Sequence, residues 1–229
     1  MKSQYLYLLI NLLCILVPLL ASFYSKAPFY KKWKDVGIAI LFPALLFIVW
    51  DEIFTRMGIW GFNSQYVSGW SIGSLPIEEI LFFVCIPYAC IFTYFAVRYF
   101  IQNEYFFSNH ELLSFSIIIA LLVAGIYNID KPYTAVTFIS LSFFLAYLTL
   151  KIRARFVGHF YAAFGIILIP FFIVNGILTG SLIEEEVVWY NDAANLGIRL
   201  GTIPLEDAFY AMLLLLMNVS LYEWRQSKA

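Results

Sequence analysis

Two stretches decide how this chain is read: GSLPIEEILFF at residues 73–83 and GTIPLEDAFYA at residues 201–211. Each opens an apolar run with Gly-x-x-Pro and then sets two acids in the next turn. The acids are Glu78 and Glu79 in the first copy, Glu206 and Asp207 in the second. Proline suits the first turn of a helix, where its missing N–H would have no partner. Acids there complement the positive end of the helix dipole. A single copy is therefore a well-made helix start. A helix start alone does not require a second copy 128 residues on (206 − 78 = 128), nor two acids where one would serve.

The surroundings make the acids costly. The chain has 229 residues, of which 62% are hydrophobic and 13% charged, against about 25% charged in soluble domains. Its apolar residues form long runs, and about 20 helical residues cross a bilayer. We read one all-α polytopic membrane domain over residues 1–229, with seven transmembrane helices near 4–24, 36–54, 77–99, 112–128, 133–150, 157–178 and 203–222. The first run is too long for a signal peptide and reads as a retained span. Lys26, Lys31, Lys32, Lys34, Arg98, Lys151, Arg153, Arg155, Arg225 and Lys228 fall on one side of this topology, and only Lys2, Arg56, Lys131 and Arg199 on the other. The positive-inside rule then predicts the N-terminus outside and the C-terminus in the cytoplasm. A net charge of −1 gives no reason to expect nucleic acid. Cys14, Cys85 and Cys90 lie in apolar runs as small hydrophobes. No metal-ligand spacing and no nucleotide-binding motif is present, so neither metal nor cofactor is expected.

The acid motifs belong to a longer repeat. WDEIFTRMGIWGFN (50–63) aligns with NGILTGSLIEEEVVWYN (175–191), each keeping a Thr (Thr55, Thr179) and reaching a Trp (Trp60, Trp189). Asp51 then corresponds to Asn175. Spans 1–3 match spans 5–7, giving a 3+1+3 parallel repeat: a first half over about 1–108, a connector helix over about 109–130 and a second half over about 131–229. An offset of four spans keeps the halves in the same sense, with both acid motifs at one membrane face.

Ionisable residues at a membrane span tend to be functional. Neighbouring helical residues point about 100° apart, so Glu78 and Glu79 are not expected to act as a dyad. One acid from each half, facing a shared cleft, is the expected arrangement. A carboxylic acid beside an apolar chamber can donate a proton, and a second carboxylate can accept one. The aromatic residues of the outer segments, Trp60 and Trp189 among them, suit a lining that stabilises a cation. Asp51 and Asn175 would supply hydrogen-bonding groups beneath the acids.

PIEEILFF and PLEDAFYAMLLL, with the Trp-containing loops before them, resemble the membrane-embedded lycopene cyclases of the carotenoid pathway. That type exists as two small subunits in some bacteria, as one fused chain in others, and as the cyclase half of fungal bifunctional enzymes. The resemblance implies an isomerase that forms β-ionone rings on lycopene or a related linear carotenoid taken from the bilayer of a bacterial inner membrane. An acid protonates a terminal double bond, the cation closes a ring, and a base removes a proton. It implies catalytic roles for Glu78, Glu79, Glu206 and Asp207, with Glu78 or Glu79 as one partner and Glu206 as the other. The candidate substrate-binding residues are Asp51, Trp60, Asn175, Trp189, Phe82 and Tyr210. The alternative is a small proton-coupled transporter with a parallel three-helix repeat. A retinal protein is set aside because the last span has no lysine.

Overall fold

The computed structural model describes residues 3–101 and 110–228. The boundary expected near residue 108 lies outside the described residues. Seven helices account for most of the described chain: α1 (Leu6–Ala21), α2 (Trp33–Arg56), α3 (Ile77–Phe100), α4 (His110–Tyr127), α5 (Pro132–Ala146), α6 (Phe156–Leu178) and α7 (Leu205–Gln226). The protein is an all-α, membrane-type fold. Six helical segments, α2 to α7 with their flanking turns, are long and apolar enough to cross a membrane. The 24 residues of α2 or α3 rise about 36 Å, more than the roughly 30 Å of bilayer hydrocarbon. The 16-residue α1 is shorter, at about 24 Å. Large side chains such as Leu16 and Val17 on α1, Phe42 and Leu46 on α2 and Phe143 on α5 point outward. An apolar outer surface suits helices whose solvent is lipid.

The helices pack in an ordered network. α1 lies on α3, α2 on α3 and α7, α5 on α7, and α6 on α3, while α4 packs mainly on α5. The main core gathers Phe47, Phe83, Ile91, Leu141, Leu145, Phe160 and Leu216 from five helices. At one end, ion pairs staple the bundle: Arg98 to Glu223 at 2.5 Å and Arg225 to Asp35 at 3.0 Å. Both are partly exposed, so each contributes about 1 kcal/mol at most.

The other end carries short strands that hydropathy did not reveal: β1 (Trp60–Phe62), β2 (Ser71–Ile72), β3 (Leu75–Pro76), β4 (Val188–Tyr190), β5 (Arg199–Leu200) and β6 (Ile203–Pro204). β1 and β4 pair antiparallel, Trp60 opposite Tyr190 and Phe62 opposite Val188, tying the α2–α3 loop to the α6–α7 loop. β2–β3 and β5–β6 are tight hairpins that deliver the chain into α3 and α7. Gly73 and Gly201 take φ of +64° and +68° in their turns, a conformation that suits glycine first in a two-residue hairpin loop. This is why each acid motif begins with glycine; its proline closes the second strand at the N-cap of the helix.

Candidate active site

Adjacent acids in the first turn of α3 part company. Glu78 is fully buried; its Oε1 accepts the N–H of Ser68 at 2.8 Å, and its backbone carbonyl accepts from Asn11 Nδ2 at 2.8 Å. Glu79 turns instead into a cavity and accepts from the Tyr7 hydroxyl at 2.5 Å. α7 repeats the division. Glu206 Oε1 accepts the N–H of Leu196 at 2.8 Å and the Thr134 hydroxyl at 2.5 Å. Asp207 turns into the same cavity as Glu79 and accepts from Tyr133 at 2.6 Å and from Tyr190 at 3.0 Å. Ser68 and Leu196 each stand ten residues before their acid. Two acids are present because they face two environments. The first in each pair ties down the loop that leads into its helix, and the second faces the chamber.

The cavity has a volume of about 560 Å³. Asp51 joins Glu79 and Asp207 in its wall. Asp51 is 2% exposed, accepts from the Trp60 indole N–H through Oδ1, and leaves Oδ2 without a well-formed hydrogen bond. Around the three carboxyls stand Tyr7, Trp60, Tyr133, Tyr190 and Tyr210. Tyr210 is the hub of this cluster: its ring centroid lies 4.9 Å from Phe47, 5.2 Å from Trp50, 6.1 Å from Trp60 and 6.2 Å from Tyr133. Tyr133 and Tyr190 stack at 6.0 Å. Burial, and after it the charge of the Asp207 carboxyl, pushes the Tyr190 phenol on β4 well above its usual value, so it stays a hydrogen-bond donor. Away from the carboxyls the wall is apolar: Val17, Ile86, Ile167, Ile173 and Leu214 among others. No group of three or more His, Cys, Asp or Glu among the described residues is arranged to hold a metal ion.

The geometry is that of a largely apolar chamber with three carboxyls in its wall. The family model described as "Lycopene cyclase" matches residues 4–97 and 130–225. The chain belongs to the lycopene cyclase family. It is 31% identical over 74 residues to a protein named "Bifunctional lycopene cyclase/phytoene synthase" from Pyrenophora tritici-repentis (strain Pt-1C-BFP), covering 32% of this chain and 12% of that one. A protein of the same name from Aspergillus oryzae (strain ATCC 42149 / RIB 40) is 29% identical over 63 residues, or 27% of this chain and 11% of that one. The chain thus aligns with only about a tenth of the length of these curated relatives. No solved structure matches it.

For a lycopene cyclase family member, the placement of the expected residues is informative. Glu79, Asp207, Asp51, Trp60, Asn175, Phe82 and Tyr210 all line the one cavity. Glu78, Glu206 and Trp189 do not line it. Trp189 is 40% exposed, and its indole lies against Gly61, where a side chain would collide with it. The cause is strand alternation: Val188 and Tyr190 point one way from β4 and Trp189 the other. Tyr7 and Tyr133, the phenols that grip Glu79 and Asp207, were not picked out from the sequence. They sit near the starts of α1 and α5, each followed four residues later by a buried polar group, Asn11 or Thr137. That Tyr-x-x-x-polar pattern near a helix start was the available signal.

Proposed function

We propose that this protein is a lycopene β-cyclase that acts on polyene ends within the bilayer. One carboxyl of the chamber gives a proton to the terminal alkene; its O–H bond breaks and a C–H bond forms. The alkene five carbons along attacks the tertiary cation, and its π pair becomes the ring C–C bond. A second carboxylate takes a proton from the ring, and that C–H pair becomes the ring double bond. Substrate and product are isomers. The observation that carries the reading is that Glu79 and Asp207, one from each acid motif, meet in a single apolar cavity. We assign these two to the chemistry and give Glu78 and Glu206 the holding of the loops. The face of Tyr210 and its neighbours supports positive charge as the cation passes, since ring faces attract cations. Exclusion of water keeps that cation from being captured.

The shape of the cavity suits a long chain. Along α3 its wall runs from Glu79 to Thr93, about 21 Å at 1.5 Å per residue. Leu13 and Val17 of α1 and Ile173 of α6 line it and are also 56%, 68% and 61% exposed. α1 and α6 pack on α3 and have no comparable contact with each other. A polyene dissolved in lipid would enter between α1 and α6, end first, with its remainder left in the membrane. The transporter alternative has no comparable support, because the carboxyls stand at helix starts and the family match is to a cyclase.

We propose further that residues about 1–108 and 131–229 are equivalent halves joined by a connector over about 109–130. Support comes from the hairpins, the Glu-to-loop bonds and the phenol-to-acid bonds that recur from one half to the other. The proposed setting is a bacterial inner membrane, N-terminus outside and C-terminus cytoplasmic. The deciding experiment is expression in a lycopene-accumulating bacterium with chromatographic analysis of the pigments. Conversion of red lycopene to cyclised orange-yellow product is expected. Unchanged lycopene, with the protein present in the membrane, would refute the proposal.

A further inference from the structure

The halves of the chamber are unequal at one position. Asp51 near the end of α2 corresponds to Asn175 near the end of α6, and both line the cavity. The chamber therefore holds three carboxyls where strict duplication would give two or four. Their hydrogen bonding is also unequal. Both oxygens of Asp207 are occupied by phenol donors, Tyr133 on Oδ1 and Tyr190 on Oδ2. Glu79 and Asp51 each have one oxygen occupied, by Tyr7 and by Trp60. The second oxygen of Asp51 is buried and makes no well-formed hydrogen bond, and the Thr55 hydroxyl one turn along α2, itself without a partner, lies close enough to act on it. Glu79 lies within electrostatic range of both Asp51 and Asp207, and Tyr210 is in range of all three acids; the unequal hydrogen bonding is what sets Asp207 apart.

A carboxylate accepts through both oxygens, while a carboxylic acid needs one oxygen free to carry its hydrogen. Two carboxyls close together in a buried site hold one proton between them more easily than two negative charges. We propose that Asp51 is a third catalytic carboxyl: it shares one proton with Glu79, this pair protonates the terminal alkene, and Asp207 is the base that receives the ring proton. The inference rests on the cyclase reading. It gives the reaction a direction across the chamber, from the α2–α3 side to the α7 side. The steps balance as written above: the pair loses one proton, the substrate isomerises, and Asp207 gains one. Return of that proton from Asp207 to the pair, across Tyr210, resets the site.

The test uses membranes containing the full chain, supplied with lycopene in deuterated buffer. Each variant is read for cyclised product and for deuterium in the recovered lycopene. Asp51→Asn keeps an acceptor for the Trp60 indole and removes the proton. It should cut cyclisation by about 100-fold or more, the low end of acid–base contributions, and its recovered lycopene should be unlabelled. Asp207→Asn should also stop product formation. Its donor pair remains, so protonation reverses, and the recovered lycopene should carry deuterium at the carbon that took the proton. Cyclisation at the wild-type rate by Asp51→Asn, or labelled lycopene from it, would overturn the inference. So would unlabelled lycopene from Asp207→Asn. If Asp51→Asn does not reach the membrane, Glu79→Gln tests the same pair, and labelled lycopene from it would overturn the inference. A wild-type chain that forms no product removes the cyclase reading itself, so the two failures are distinguishable.

Discussion

Glu78→Gln and Glu79→Gln change one helical turn by the same single atom, and we expect them to fail in opposite ways. Glu79 faces the cavity, and a Gln there still accepts from the Tyr7 hydroxyl. The fold should hold while proton transfer is lost. Such groups contribute about 10²–10⁴-fold, or roughly 2.7–5.4 kcal/mol in the barrier at 1.36 kcal/mol per tenfold. Glu78 has no place in the cavity wall, and its Oε1 holds the N–H of Ser68. A buried polar group left without its hydrogen-bond partner costs about 1–3 kcal/mol. Glu78→Gln weakens that bond and can bury an amide N–H₂ where Oε2 now has no partner. Stability should fall by about that amount, while turnover per folded molecule stays within about tenfold of wild type. Thermal unfolding in detergent gives the first quantity, and product formed per folded protein gives the second. Equal loss of turnover in both variants, or normal turnover in Glu79→Gln, would refute the division of labour.

The second half should repeat the pattern: Glu206→Gln lowers stability, and Asp207→Asn stops turnover, read by the same two assays. Tyr133→Phe removes one of two donors to Asp207 and should slow cyclisation by about tenfold, near 1.4 kcal/mol, without changing expression level. Val17→Trp at the exposed rim between α1 and α6 should raise the lycopene concentration needed for half-maximal rate more than it lowers the rate at saturation; a change in the maximal rate alone would argue against entry there. Two fragments separated within residues 110–130 and co-expressed should recover some activity, and two fragments that both reach the membrane yet stay inactive would count against equivalent halves.

The spans and the acid motifs were legible because both are local. A run of apolar residues and a Gly-x-x-Pro helix start announce themselves in one window of sequence. The division between adjacent acids was half legible. A 100° step per residue says that Glu78 and Glu79 face different ways. It does not say which one meets the chamber, because the roll of α3 is set by distant partners. Tyr7 is 72 residues from Glu79 and Ser68 is on the far side of a hairpin. For the same reason the second-half partner was expected to be Glu206, whereas Asp207 is the one that faces the cavity. Trp189 was expected in the lining because it aligns with Trp60. A three-residue strand is too short for alternation to be seen, and without the strand its outward turn is invisible. The strand pairing that brings Trp60 beside Tyr190 joins residues 130 apart (190 − 60 = 130), which no window spans.

Equivalent halves, as proposed, would produce matched sites, yet the proposed cyclisation by proton transfer needs an unmatched one. If donor and base were identical by symmetry, each would be as ready to hold a proton as the other, and the site would have no fixed direction. The chamber breaks the match in three ways. Glu79 and Asp207 differ by a methylene, so their carboxyls reach to different depths. Asp207 has two phenol donors and Glu79 one. Asp51 faces Glu79's side, while its counterpart Asn175 carries no acid. Of these, only the last changes how many protons the site can hold. Exchanging that difference, with Asp51→Asn and Asn175→Asp in one chain, would restore three carboxyls with the asymmetry reversed. If acid count alone mattered, activity would return to near the wild-type level. If position sets direction, the double variant should remain as slow as Asp51→Asn, because the returned carboxyl stands on α6 and not at the α2 position beside Glu79.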